Sequence, residues 1–194
     1  MALLSNWDAW LPVVILLGIW LALKGGFRGR AFLLTAVCIV GINDGLISNS
    51  LKKLVDRPRP HQSVDGVRVV ELGKAKPRLL AAFRPVKVKL SRPDFTPVEG
   101  RSFPSSHTIN TLSAALIGFF FFGARAAGGL LLALGVAYSR IYTGSHWPSD
   151  VLTSILLGLG STLVLLALAD ALWRRFGGRW LPAVHQDHPK LFAA

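Results

Sequence analysis

Five blocks of apolar residues in a chain of 194 limit the possible fold more than any other feature. They are "WLPVVILLGIWLAL" (10–23), "AFLLTAVCIVGINDGLI" (31–47), "TLSAALIGFFFFGA" (111–124), "AAGGLLLALGVAY" (126–138) and "VLTSILLGLGSTLVLLALADALW" (151–173). A helix that crosses the hydrocarbon of a bilayer needs about 20 mostly apolar residues. The last block meets this alone, and the others reach it with their polar flanks. One such block could be a buried helix of a soluble protein. Five exceed what so small a domain can hide, with 52% of residues hydrophobic and 16% charged. The expected fold is therefore all-α, a polytopic membrane helix bundle of about five transmembrane helices, or six, forming one domain over 1–194. The helices are placed near 9–23, 31–51, 106–123, 126–140 and 149–173, with a long basic extramembrane loop over 52–104. No A-x-A-like cleavage site follows the first block before the basic stretch, so it is read as a retained helix rather than a signal peptide.

The formal charge is +12, and most of it is local. Residues 52–104 hold thirteen Lys/Arg against five Asp/Glu, together with seven of the eleven prolines. A basic segment beside a bilayer attracts anionic headgroups. Nucleic acid is the weaker partner, because only Phe83 and Phe95 are available there for base stacking. A short amphipathic helix is expected near "PRLLAAF" (77–83). Cys38 is the sole cysteine, so disulfides and thiolate metal clusters are excluded. The short basic loops "KGGFRGR" (24–30), "GARA" (123–126) and "WRRFGGRW" (173–180) fall on one side, which the positive-inside tendency makes cytoplasmic. The long loop and residues 139–150 then share the outer side, although their own basic residues pull the raw count the other way.

Three polar clusters interrupt the apolar pattern, all on that outer side: "KKLVDRPRP" with Lys52-x6-Arg59-Pro60, "PSSH" from Pro104 to His107, and "SRIYTGSHWPSD" with Arg140-x5-His146-x3-Asp150. Each lies at a helix boundary, and antiparallel helices on short turns bring such ends together. Gathered, Lys52, Arg59 and Arg140 supply a point charge and two bidentate forks for phosphate. Ser105 and Ser106 add hydroxyls where a helix N-terminus offers backbone N–H groups to an anion. His107 and His146 supply a proton donor and a nucleophile. Asp150, one turn after His146, can accept the imidazole N–H and leave the other nitrogen free to attack. Each residue alone has a plainer use: interfacial cation, N-cap, helix breaker. The shared side and spacing argue against coincidence.

These clusters resemble the tripartite signature K-x6-R-P, P-S-G-H, S-R-x5-H-x3-D of the type-2 phosphatidic acid phosphatase superfamily, the lipid phosphate phosphatases and their relatives. The signature spans 52–150, and the surrounding helical blocks suit that family's bundle. Ser106 stands where the pattern has glycine, and the backbone N–H survives that change. The family's usual sixth span is not evident. The resemblance implies that His146 attacks phosphorus and forms a phosphohistidine, that Asp150 orients it, and that His107 protonates the leaving oxygen and then activates water. It implies that Lys52, Arg59, Arg140, Ser105 and the amide of Ser106 hold the phosphoryl oxygens, with no metal and no cofactor.

The expected function is hydrolysis of a lipid phosphate or diphosphate, with undecaprenyl diphosphate ahead of lipid A, phosphatidylglycerophosphate and phosphatidate. The partners are then an anionic phospholipid or polyprenyl phosphate and the bilayer. The expected location is a bacterial inner membrane, with the site facing the periplasm or exterior. A vanadium haloperoxidase would share the pocket but be large and soluble. A non-catalytic anionic-lipid binder would not need paired histidines. Asp44, two turns from Lys52, is costly in hydrocarbon unless it faces a charge or a polar group, so it either tunes Lys52 or bonds a neighbouring serine. His61, His185 and His188 match no motif and are expected at the surface.

Overall fold

The computed structural model describes residues 1–73, 84–93 and 100–192. The chain is a bundle of antiparallel helices: α1 (Trp7–Lys24), α2 (Gly26–Ile42), a π-helical turn (Asn43–Ser48), α3 (Asn49–Val55), α4 (Pro60–Ser63), α5 (Ser106–Phe122), a 3-10 turn (Gly123–Ala126), α6 (Gly128–Tyr142), α7 (Pro148–Trp180) and α8 (Pro182–Asp187). The α1–α2 connection is a single residue, Gly25, followed by Gly26 at φ +58, a left-handed conformation that L side chains rarely adopt. So sharp a reversal lays α1 directly along α2. Only Leu21 of α1 is buried, whereas Val13, Ile15, Leu16, Ile19 and Leu23 are exposed. In water that surface would be a large liability; against acyl chains it is matched.

Four helical stretches are long and apolar enough to cross a membrane: Trp7–Lys24, Gly26–Ser63, Ser106–Ala126 and Pro148–Trp180. α6, with 15 residues, is the shorter fifth. At 1.5 Å per residue it rises only about 22 Å, less than the hydrocarbon thickness of about 30 Å. No sixth candidate occurs among the described residues. α5 is the axis of the bundle, packing against α2, α6 and α7. Its Ile117 and Phe121 join Ala31 and Ile39 of α2 and Leu166 of α7 in one core cluster, while Leu112 and Leu116 meet Ala133 of α6 in another. Inside this apolar packing Asn43, where the π-helical turn begins, donates to Ser113 at 2.8 Å and Thr162 at 3.2 Å, tying α2, α5 and α7 together. Such hydrogen bonds act as glue between helices in lipid.

The expected boundaries need three revisions. The segment 52–104 is not all loop: β1 (Arg68–Leu72) and β2 (Val86–Leu90) form an antiparallel hairpin, in register from Arg68↔Leu90 to Leu72↔Val86. It is tied to the end of α6 by the Val70 N–H to the Thr143 carbonyl, at 3.4 Å. The helix read into second-block residues 31–51 begins earlier and continues through the π turn to Val55. The fifth helix does not stop near 173 but runs to Trp180. Arg174, Arg175 and Arg179 are good helix formers, and at 33 residues α7 is about 50 Å long, enough to carry its basic end beyond the hydrocarbon. The helix expected near 77–83 lies outside the described residues.

Candidate active site

Alternating helix direction puts the end of α3, the start of α5, the end of α6 and the start of α7 at one end of the bundle. The N-terminal lead-in joins them, with Ser5 Oγ 2.7 Å from Ser139 Oγ. α3 stops because Asp56 takes the left-handed conformation, φ 47. Arg59 then caps α4, its backbone N–H donating to Gln62 Oε1 at 3.0 Å, with Pro60 in the first turn. Gly100, at φ +88, lies against the Arg59 guanidinium; a Cβ there would come within 3.3 Å of it. Ser105 caps α5, so Ser106 and His107 occupy its first turn. Arg140 ends α6, and its carbonyl accepts from the N–H groups of both Ser145 and His146 at 3.2 Å, curling that turn back over the helix end. Pro148 opens α7 and Asp150 follows in its first turn.

The motif residues converge. Lys52 Nζ donates to Ser106 Oγ at 2.6 Å, and Ser48 Oγ lies 2.6 Å from the same hydroxyl. Ser48 and Lys52, four residues apart, thus meet the same hydroxyl. His107 lies in the electrostatic field of Arg140, Lys52, Arg59 and Asp44, and His146 in that of Arg140, Arg59 and His107. Asp44 also acts on Lys52. Arg140 is buried, and the Nε atoms of Arg59 and Arg140 are buried with no hydrogen-bond partner among the described residues. Unmatched guanidinium donors in a buried cluster of like charge are costly without an anion. Burial pushes the His146 imidazole down to about 3, with Arg140 adding to this and the Ser102 carbonyl opposing it. At neutral pH the ring is uncharged and keeps a free lone pair. Beside Arg140, a cavity of about 670 Å³ opens between the lead-in and the hairpin, lined by Ser5, Trp7, Lys87 and Lys89 among others.

Two expected contacts differ. Asp150 does not accept the imidazole N–H. His146 Nδ1 lies 2.5 Å from the Ser102 carbonyl, whereas Asp150 accepts from the Ser102 hydroxyl, from the Trp147 N–H at 3.2 Å and from Arg57 Nη1 at 2.6 Å. These three donors hold the fully buried carboxylate. Ser105 is also turned to other work: it is fully buried, its N–H donates to Ser154 Oγ at 2.8 Å, and its hydroxyl accepts from Thr108 at 3.0 Å. That locks α5 to α7 and leaves Ser106 as the serine beside Lys52.

Ser102 and Arg57 lie outside the predicted site. Arg57 stacks over the Trp147 ring at 5.2 Å, and Trp147 Nε1 donates to the Pro58 carbonyl at 3.0 Å, so segment 57–58 is clamped to the start of α7. No local pattern marks Ser102, whose role rests on its carbonyl and on contacts distant in sequence. Of the three remaining histidines, His188 is exposed and stacks on Phe27 at 4.3 Å. His61 and His185 are half-buried rather than at the surface: His61 Nδ1 lies 2.9 Å from the Gly144 carbonyl, and His185 packs on Trp173.

Comparison with known proteins agrees with the motif. The Bacitracin transport permease protein BcrC of Bacillus licheniformis is 41% identical over 71 residues, covering 37% of this chain and 35% of that protein. The "Putative undecaprenyl-diphosphatase YbjG" of Escherichia coli (strain K12) is 37% identical over 78 residues, covering 39% and 37%. The matched part spans little more than a third of either relative. No solved structure matches. The sequence profile of the PAP2 superfamily matches residues 31–174, which contain all three polar clusters, the whole of α5 and α6 and most of α2 and α7, and the chain belongs to the PAP2 superfamily.

Proposed function

We propose that the protein is an integral membrane phosphatase that hydrolyses a lipid phosphate or diphosphate through a phosphohistidine. The observation carrying this reading is the cationic end of the bundle, where Lys52, Arg59 and Arg140 act on His107, and Arg59 and Arg140 on the buried, neutral His146. In the proposed reaction His146 Nε2 forms a bond to phosphorus as the bond to the leaving oxygen breaks. His107 gives that oxygen a proton, then takes one from the water that hydrolyses the phosphohistidine. Lys52, Arg59, Arg140 and the amide of Ser106 hold the phosphoryl oxygens and oppose the charge that develops on them. Three protein cations suffice for this, so the reaction is proposed to need no metal. Ser105 is left out because it is fully buried, with its N–H on Ser154 and its hydroxyl accepting from Thr108.

Undecaprenyl diphosphate is the favoured substrate. The printed name of the Escherichia coli relative points there, and the cavity beside Arg140, with Lys87 and Lys89, suits a headgroup more negative than one phosphomonoester. The proposed setting is a bacterial inner membrane with the site at its outer face, opposite the short basic loops. The test is phosphate release by the detergent-solubilised protein from undecaprenyl diphosphate, phosphatidate, phosphatidylglycerophosphate and lipid A, with His146→Ala as control. Preference for the diphosphate supports the assignment. Equal rates on phosphatidate would overturn the substrate, and full activity of His146→Ala would leave only a lipid-binding role.

A further inference from the structure

We propose that Ser102, which belongs to none of the three motifs, is the positioning residue through which Asp150 acts on His146. The inference rests on His146 being the nucleophile. A carbonyl can only accept, so the 2.5 Å contact between Ser102 O and His146 Nδ1 places the ring hydrogen on Nδ1. The lone pair is then on Nε2, the nitrogen left free to meet phosphorus. That carbonyl can direct the ring only if residue 102 is itself fixed. Its N–H donates to the Arg57 carbonyl at 2.7 Å, and its hydroxyl donates to Asp150 Oδ2. Every polar group of this fully buried residue is therefore engaged, the N–H by residue 57 and the carbonyl and hydroxyl by His146 and Asp150 of one turn.

Asp150 is held just as firmly by Arg57 and by the N–H of Trp147, and it has no bond to the imidazole. Its influence on the ring runs through the orientation of residue 102. As the Nε2–P bond forms and the leaving oxygen takes its proton from His107, the imidazole becomes cationic. The Nδ1–H bond to the Ser102 carbonyl strengthens at that moment, and no proton leaves Nδ1. A carbonyl held in advance needs no rearrangement to provide this.

A double-mutant cycle separates this role from plain packing. Single-turnover phosphoenzyme formation and KM are measured for wild type, Ser102→Ala, Asp150→Asn and the double variant, with Ser102→Cys as a variant of nearly native volume and a weak donor. The expected result is phosphorylation slowed about 10- to 100-fold in Ser102→Ala, with KM within about twofold, and a smaller slowing in Ser102→Cys. Asp150→Asn should slow wild type about 100-fold but the Ser102→Ala background no more than about threefold, because coupled residues are not additive. Equal factors in both backgrounds, or wild-type rates in Ser102→Ala and Ser102→Cys, would overturn this inference alone. Absence of a phosphoenzyme in the wild type would instead overturn the reading of His146, and this inference with it.

Discussion

At one end of the bundle Asp150, His146, Ser102 and Arg140 are buried and charged or polar, and the first three are held by bonds to segments far away in sequence. At the other end Phe27 packs on Trp173 and His188, and Phe32 meets Phe121 and Phe122 edge-on. Ring packing is non-directional enough to tolerate exchange of one apolar shape for another. A buried carboxylate tolerates no such exchange, because removing any donor strands a charge. The far end therefore holds the helices together, and the near end fixes atoms. Stability and turnover should be separable by mutating one end or the other.

The largest effect should come from His146→Ala, which removes the proposed nucleophile: phosphate release should fall by at least about 10³-fold with the melting temperature in detergent little changed. Phe121→Ala, deep in the core at the other end, should show the reverse pattern. Thermal stability should drop by about 3–5 kcal/mol while kcat per folded molecule stays within about twofold. A kcat loss as large as the stability loss would break the comparison. Arg57→Ala probes the clamp between the two kinds of region. Asp150 would keep its bonds to Ser102 and Trp147, so a cost of about 1–3 kcal/mol is expected, with kcat also reduced. Unchanged stability and rate would show that the Arg57–Asp150 pair contributes nothing.

Acidity gives a subtler contrast. The His146 imidazole is pushed down to about 3 in the folded protein, below its ordinary value of 6.5, so the unfolded chain binds more protons between those two pH values. The stabilising contribution of a neutral His146 is present above pH 6.5 and is lost as pH falls toward 3. Melting temperature measured from pH 7 to 5 should fall less steeply in His146→Ala than in wild type. The same depression keeps the proposed nucleophile neutral, so single-turnover phosphorylation should show no loss from His146 protonation between pH 7 and 5. Parallel melting curves would contradict the buried neutral ring.

The difference between the ends also explains what could be read from the residues alone. The transmembrane bundle was legible because hydrocarbon imposes length and composition on each span. That Lys52, Arg59, His107, Arg140 and His146 gather at one end was legible because charges at helix boundaries stand out against apolar blocks. Ser102 and Arg57 were not, since their work is done by a backbone carbonyl and by a contact 93 residues away in sequence. The direct Asp150–imidazole bond was the natural expectation from i, i+4 spacing, and the turn at 143–146 instead delivers the ring to the Ser102 carbonyl. The hairpin reads as loop, although "VKVKL" alternates β-branched and basic residues at the period of a strand. The surrounding prolines obscured it. Apolar content does not mark the end of α7, because Arg174, Arg175 and Arg179 continue the helix by propensity beyond the apolar block.

Everything at the catalytic end depends on one imidazole reaching phosphorus. The most direct measurement is to quench the enzyme during turnover of diphosphate lipid labelled in its terminal phosphate and map the labelled peptide. Acid-labile label on His146, absent from His146→Ala, is the predicted result. Label on another residue, or none while lipid is consumed at full rate, would contradict the account.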